Sequence, residues 1–561
     1  MTVNLRDIKS HLPFVLLVLV LGVYLGLKTF PEEGWSGWKE GSAQTMLTLE
    51  HWDRDGILEH RLLFIPIGYS KTARLIDEPD LRHHARGIVT GKLIGNRLYY
   101  THYPPGYLLP FAALKLAGVD ERSSFRLLAL GMSLGALVLA YAFLNRVSTP
   151  SIAFFGALYY GASTMFLDFA DSLANQPIDD LLRFAILFLS ISGLRAGEGL
   201  KKRYTVFIWA LFFILAASSY DSVIFVFLWL VGLDYVQWLK DKGKQKKPVP
   251  IKKWAFYGLA PVAAFAIQQV QNLWYLGWND LVLDLKGVFL YRVASGAGKG
   301  VLSHFTAVFT ALDLATGISS WYSVPAIAAV IVSLVYLRKH IFYRWPELSF
   351  FVLLLVAGSA YSMVFSRTSD LDYQGRQLSP ALALLVGSGV VLFLRTAVSP
   401  RALFNRKGGP ARTILFAVLF IALAVMLFGQ ARRTVGYVKD WPNHAVDQAS
   451  LNAYKALNNM TANDAVIFSV DANSNKRYPQ AAPTFEYYAG KMVLSFQNPE
   501  DMMRDLKTLK ALSPEPFDII VFTPQFETIE AMLPYSSGRE VKVLGGGYYA
   551  LLIEADSIIG Q

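Results

Sequence analysis

Long apolar runs with almost no charge, separated by short basic clusters, constrain this chain more than any other feature. Residues 127–145 and 413–431 contain no Asp, Glu, Lys or Arg. A run of about 20 apolar residues has the length of a helix crossing a bilayer core of about 30 Å. Candidate spans fall near 11–29, 125–144, 150–167, 178–194, 204–219, 222–239, 254–275, 321–337, 348–365, 380–396 and 412–429. The expected fold class is therefore an α-helical polytopic membrane protein with about eleven spanning helices. Composition agrees, since 53% of the 561 residues are hydrophobic and only 17% are charged. The first run follows Arg6 and Lys9 and lacks a small-residue cleavage site, so an uncleaved first span is expected rather than a signal peptide.

The net charge of +11 invites a nucleic-acid reading. The placement of the charge argues for a membrane instead, and no nucleic-acid partner is expected. With the N-terminus cytoplasmic, Arg146, Arg195, Lys201–Arg203, the lysines of 240–253, Arg338, Lys339, Arg344, and the basic residues from Arg395 to Arg412 all fall on one side. That is the asymmetry of cytoplasmic loops. The opposite, external face then carries residues 30–124, about 276–320, 366–379 and everything after about 430. The expected location is the inner or plasma membrane, multi-pass, with the C-terminal part external or periplasmic. The absence of cysteine excludes disulfides, thiolate metal sites and a thiol nucleophile.

The tail changes pattern. AVIFSV, KMVLSF, FDIIVFT and YYALLIE read as strands, and TFEYYAG, PEDMMRDLKTLKAL and QFETIEAML as helices. This divides the chain into a membrane part, 1–430, and a soluble α/β domain, 431–561. Gly545-Gly546-Gly547 precedes a strand with no helix after it, which reads as a turn and not as a nucleotide loop.

Chemistry-bearing residues concentrate on the external segments. Glu40 stands a few residues past the first span, and a carboxylate there can serve as a general base or simply complement a helix dipole. The same loop ends in YYTHYPPGYLLPF, where Tyr100, His102 and Tyr103 precede Pro104-Pro105. The run after the proline pair contains Pro110 and Lys115 and reads as an interfacial helix. Interfacial tyrosines are ordinarily membrane anchors; His102 can bind substrate or a metal. Asp168 and Asp171 lie one helical turn apart in FLDFADSLANQPIDDLL, with Asp179 and Asp180 opening the next span. SRTSDLDYQGRQLSP carries Arg367 and Arg376 on a face otherwise poor in basic charge. They suit an anionic partner such as phosphate, or pairing with Asp370 and Asp372.

YYTHYPPGYLLPF resembles the proline-pair motif that closes the first external loop of the C-type (GT-C fold) membrane glycosyltransferases, which include the aminoarabinose transferases and protein O-mannosyltransferases. That superfamily carries a carboxylate shortly after the first span, often in an Asp-Glu pair; here the stretch is Trp38-Lys39-Glu40-Gly41, with Lys39 where the Asp is expected. Arg376 and Pro380 resemble its basic-aromatic stretch before a Pro-initiated span, with Gln377 replacing the aromatic. The likeness covers roughly residues 1–430. It implies transfer of a sugar from a polyprenyl-phosphate donor to a lipid, glycan or protein acceptor at the outer membrane face. It makes Glu40, Asp168 and Asp171 catalytic candidates, and His102, Tyr103, Arg367, Asp372 and Arg376 substrate-binding candidates. No pattern requires a cofactor, and the dispersed carboxylates neither define nor rule out a divalent-metal site. The rival class is a lipid or lipid-linked-sugar transporter. Clustering of acids at helix ends and the lack of a visible repeat weigh against it.

Overall fold

A computed structural model of the protein describes residues 5–30, 39–67, 98–196, 198–242, 248–293, 302–341, 348–365, 374–398, 409–444, 448–461, 465–470, 483–496, 502, 517–535, 541–544 and 547–554. Helix α1 (Leu5–Thr29) is the first apolar run. Its Leu12, Leu16, Leu19, Val20 and Val23 side chains are exposed, an apolar stripe suited to lipid. The loop that follows contributes α2 (Lys39–Asp55) and an antiparallel ribbon of β1 (Phe64–Ile67) and β2 (Leu98–Tyr100). The helix after the proline pair, α3 (Leu109–Leu116), has 8 residues, about 12 Å, and is too short to span.

The bundle continues with α4 (Arg122–Val147), α5 (Pro150–Gly161), α6 (Thr164–Phe169), α7 (Gln176–Leu194), α8 (Glu198–Ser218), α9 (Val223–Lys242) and α10 (Ile251–Leu276). Local chemistry sets several of these starts. Pro150 takes the first position of α5, where an N–H has no intrahelical partner, and Ser163 caps α6 by accepting the Phe166 N–H at 3.2 Å. At Gly277, φ is 76°, a left-handed turn that glycine adopts without steric cost; it redirects the chain into α11 (Trp278–Val293). The order closes with α12 (Leu302–Thr316), α13 (Ser320–Ile341), α14 (Leu348–Val364), α15 (Ser379–Val398) and the long α16 (Gly409–His444).

Each of the eleven expected spans falls on helical backbone, with 150–167 interrupted at Ala162-Ser163. Full spanning character is rarer. Five described helical stretches are long and apolar enough to cross a membrane: Lys9–Thr29, Arg122–Val147, Val223–Lys240, Gly375–Val398 and Thr413–Asp440. A sixth appears if His304–Thr316 and Ser320–Tyr336, bent by 79°, count as one span. The others are limited by length or polarity. The 12 residues of α5 rise only about 18 Å, α14 has 17 residues, and α7 opens on buried Asp179, Asp180 and Arg183. The expected external segment 276–320 contains α11 and α12, which the sequence reading leaves as loop. Its WNDLVLDLKGVFLYRV interleaves charge with apolar residues and is neither span-like nor turn-like.

Two glycines make the tightest seam. A Cβ on Gly156 of α5 would lie 2.6 Å from the Ala383 carbonyl oxygen of α15, and one on Gly387 would collide with the Ile152 carbonyl oxygen. Backbones can approach this closely only at small residues, the packing mode that works where lipid removes the hydrophobic incentive.

After α16 come α17 (Gln448–Asn458), β3 (Ala465–Val470), α18 (Pro483–Ala489), β4 (Met492–Phe496), β5 (Asp518–Thr523), α19 (Phe526–Met532), β6 (Lys542–Leu544) and β7 (Tyr548–Glu554). The sheet order is β4-β3-β5-β7-β6, with β3 parallel to β4 and β5, and β7 antiparallel to β5 and β6. Cross-strand neighbours Ile467, Val493 and Ile520 are buried in one cluster with Leu457 of α17 and Phe485 of α18. The alternate residues Val466, Phe468, Ile519 and Val521 are buried with Ile529 and Met532 of α19. Both faces of the sheet are therefore covered. Of the helix expected over 499–512, all but Met502 lies outside the described residues, as do Gly545 and Gly546.

This layer is fastened to the bundle. Helix α18 lies on α2. The Arg122 guanidinium at the start of α4 sits 4.9 Å and 4.6 Å from the Tyr487 and Tyr488 ring centroids, and its Nε donates to the Tyr487 hydroxyl at 3.2 Å. Burial pushes the Tyr487 phenol above its ordinary value, so it stays neutral beside the arginine.

Candidate functional site

The proline-pair loop is seated by its own sequence. Pro104 is extended, Pro105 opens a 3-10 turn over Pro105–Leu108, and Gly106 lies against the Ala217 carbonyl of α8, where a Cβ would collide. This contact brings Tyr103 to the Ser219-Tyr220-Asp221 turn between α8 and α9. The Tyr103 hydroxyl donates to Asp221 Oδ2 at 2.9 Å, and Asn175 Nδ2 donates to the same oxygen at 3.2 Å. The Tyr361 hydroxyl, from α14, donates to Oδ1 at 3.2 Å, and Gln377 Nε2 donates to the Asp221 carbonyl at 3.3 Å. Asp221 is buried, and among the described residues no cation pairs with it. Two phenols and an amide hold the carboxylate in place.

Beside it, His102 Nε2 lies 2.7 Å from Asp284 Oδ1 of α11, and the Thr101 hydroxyl donates to Asp284 Oδ2 at 2.8 Å. Gln268 and Asn272 of α10 donate to the Thr101 carbonyl at 3.1 Å and 3.0 Å. His102 is thus oriented by a buried carboxylate, and the loop backbone is pinned to α10. The signal for the latter was present in the sequence: four amides, Gln268, Gln269, Gln271 and Asn272, interrupt an otherwise apolar span. Asp284, Asn175 and Tyr361 carried no local signal.

Asp171 is buried just past the end of α6, where it accepts from Lys28 Nζ at 3.1 Å, the Thr29 hydroxyl at 3.3 Å and Arg126 Nε at 3.0 Å. These bonds tie α1 and α4 to the α6–α7 connection and occupy the carboxylate with two cations. Asp168 is half-buried and faces the Tyr437 hydroxyl of α16, and both acids lie close to Tyr437 and Lys28. Glu40 is in the first turn of α2; its side chain lies outside the described residues. Two residues on, Ser42 Oγ accepts the Leu173 N–H at 3.1 Å, which places the start of α2 against the α6–α7 connection. Among the described residues no group of three or more His, Asp or Glu is arranged to hold a metal ion.

Arg376 is also spoken for. It lies in the 3-10 turn Gln374–Leu378, is 3% exposed, pairs with Asp180 at 2.7 Å and donates to the Gln176 carbonyl at 2.6 Å. Asp180 further accepts from Arg183 and from the Tyr160 hydroxyl at 2.7 Å. Among the described residues the arginine's partner is thus an acid distant in sequence. Arg367, Asp370 and Asp372 lie outside the described residues. Arg376→Ala is expected to lower the thermal stability of the detergent-purified protein. A double-mutant cycle with Asp180→Asn should return a coupling of about 0.5–3 kcal/mol. Independent effects of the two substitutions, with a loss confined to donor use, would return Arg376 to the substrate.

No protein-family profile matches the chain, and no curated protein matches it in sequence. Solved structures do match its fold. ArnT from Cupriavidus metallidurans in the apo state aligns with a TM-score of 0.50 and 12% identity over 97% of this chain and 98% of that chain. The apo form of the Archaeoglobus fulgidus oligosaccharyltransferase aligns with a TM-score of 0.50 and 10% identity over 90% of this chain and 69% of that chain. At such identities the likeness is one of fold, and it extends nearly from end to end of ArnT. The helical bundle, the folded first loop seated by its proline pair, and the sheet-bearing tail together have the GT-C fold of the membrane glycosyltransferases.

Proposed function

We propose that the chain transfers a sugar from a polyprenyl-phosphate carrier to an acceptor hydroxyl on a lipid, glycan or protein, at the outer membrane face. One observation carries this reading: in a GT-C fold, the proline-pair loop, the start of α2 and the Asp221 turn converge at one end of the bundle. Glu40 would take the acceptor proton as the hydroxyl attacks the anomeric carbon and expels the lipid phosphate, with inversion. His102 and Tyr103, held by Asp284 and Asp221, would present the polar edge that meets the sugar. With Arg376 committed to Asp180, Arg367 is the remaining candidate for the leaving phosphate. The sheet-bearing tail, 431–561, would act as a separate domain over the same end, a placement supported by α18 lying on α2. The bent pair α12 and α13 is the feature a transporter would share.

The experiment is a transfer assay. Purified full-length protein, given radiolabelled polyprenyl-phosphate sugars and a cell-envelope extract, should move label into acceptor. Movement of intact lipid-linked sugar across vesicles without transfer would replace the reading by transport. A reporter at Gln561 should be external and one within 240–253 cytoplasmic; the opposite result would invert the assignment of faces.

A further inference from the structure

At the other end of the bundle from Asp221 lies a cavity of roughly 270 Å³. It is walled by the end of α7, the start of α8, the end of α9 and the start of α10, the ends that carry the basic loops. Its charged lining is Lys201, Lys253 and Asp234, with Tyr204, Trp238 and Tyr257 as aromatic wall. Ile208, Leu230 and Leu233 form an apolar floor. Lys253 Nζ reaches Asp234 Oδ1 at 2.7 Å and lies 5.4 Å from the Tyr257 ring centroid. Asp234 Oδ2 is buried with no hydrogen-bond partner among the described residues. A buried carboxylate oxygen left in this state is an acceptor awaiting a donor.

We infer that this cavity binds the headgroup of an anionic, hydroxyl-bearing glycerophospholipid from the leaflet at the basic end. Two lysines and one aspartate line the cavity, and the basic helix ends around it suit a phosphodiester. A headgroup hydroxyl supplies the donor that Asp234 Oδ2 lacks. Lys202, Arg203, Lys240 and Lys252 stand exposed on the same helix ends and raise the local concentration of anionic lipid. The cavity holds a headgroup and not a whole lipid. Its acyl chains have a track outside, where Phe207 and Ile214, two turns apart on α8, are exposed. This track favours a lipid over a free phosphate, which would gain nothing from it. Basic pockets between membrane helices are the usual seats of such headgroups. The inference stands apart from the sugar-transfer reading, since no residue of the Asp221 end takes part.

The test uses the full-length protein in nanodiscs of phosphatidylcholine with a minor share of phosphatidylglycerol, with retained lipid counted by native mass spectrometry. Wild type should retain phosphatidylglycerol in preference to phosphatidylcholine, and inorganic phosphate should not displace it. Lys201→Ala should weaken retention about fivefold. The pair Asp234→Ala with Lys253→Ala, which removes both partners and leaves no orphaned charge, should abolish the preference while the protein stays folded. Lys202→Ala, exposed and outside the lining, should retain most of the wild-type preference. Equal retention of the two lipids, wild-type retention by both the Lys201 and the paired variants, or displacement by inorganic phosphate would each overturn the assignment.

Discussion

Glu40→Gln is expected to lower turnover by about 10²–10⁴-fold, the usual contribution of a general base. The amide keeps the shape of the side chain and loses its basicity, so helix α2 and donor binding should be nearly unchanged. Glu40 lies in the first turn of α2, and Ser42, two residues on, makes a buried contact with the α6–α7 connection. Glu32→Gln and Glu33→Gln serve as controls, nearer the membrane exit and without motif context. The measurement is single-turnover transfer at saturating donor, with donor affinity measured separately. Near-normal turnover in Glu40→Gln, together with its loss in Asp168→Asn, would move the base to the end of α6.

Asp171→Asn should act on the fold instead. The carboxylate is the common partner of Lys28 and Arg126, 2% and 3% exposed respectively. The isosteric amide keeps the packing and removes the charge, so Lys28 and Arg126 lose the carboxylate they share. Breaking a buried ion pair from one side costs about 3–5 kcal/mol, a large part of a typical total stability. The expected result is a marked fall in the yield of monodisperse protein and in melting temperature by tryptophan fluorescence. Replacing the whole triad, Asp171→Leu with Lys28→Met and Arg126→Leu, should instead keep most of the stability, because apolar groups of similar volume take its place. A stable Asp171→Asn protein with abolished turnover would instead put Asp171 among the reacting groups.

The helices were legible because an apolar run of about 20 residues has few other solutions. The four strong strands were legible as short runs of β-branched, aromatic and other apolar residues, buried on both faces; β6, three residues long and mostly exposed, gives no such run. The proline-pair loop could be located, since Pro104, Pro105 and Gly106 dictate backbone shape locally. Partnerships could not. Nothing in the sequence links Arg376 to Asp180, nearly two hundred residues away, which the fold brings to it. Asp221 reads as an acid in a tight turn, and only the packing of the loop, α14 and the α6–α7 connection makes it the hub of Tyr103, Asn175 and Tyr361. Whether a carboxylate is an anchor or a reactive group is decided by what surrounds it, and at Asp171 those neighbours come from segments more than forty residues away.

The glycine seam between α5 and α15 bears on mechanical compliance. Where backbones touch at Gly156 and Gly387, neither helix can slide or tilt without driving carbonyl oxygens into Cα atoms, so that wall of the bundle is stiff. For the polyprenyl donor proposed above, a long isoprenoid entering sideways needs a wall that yields. Deformation then falls on elements away from the seam, such as the elbow where α12 and α13 meet at 79°. Spin labels across Ile152 and Ala383 should report one unchanging distance under all conditions, and labels across the α12–α13 elbow the spread.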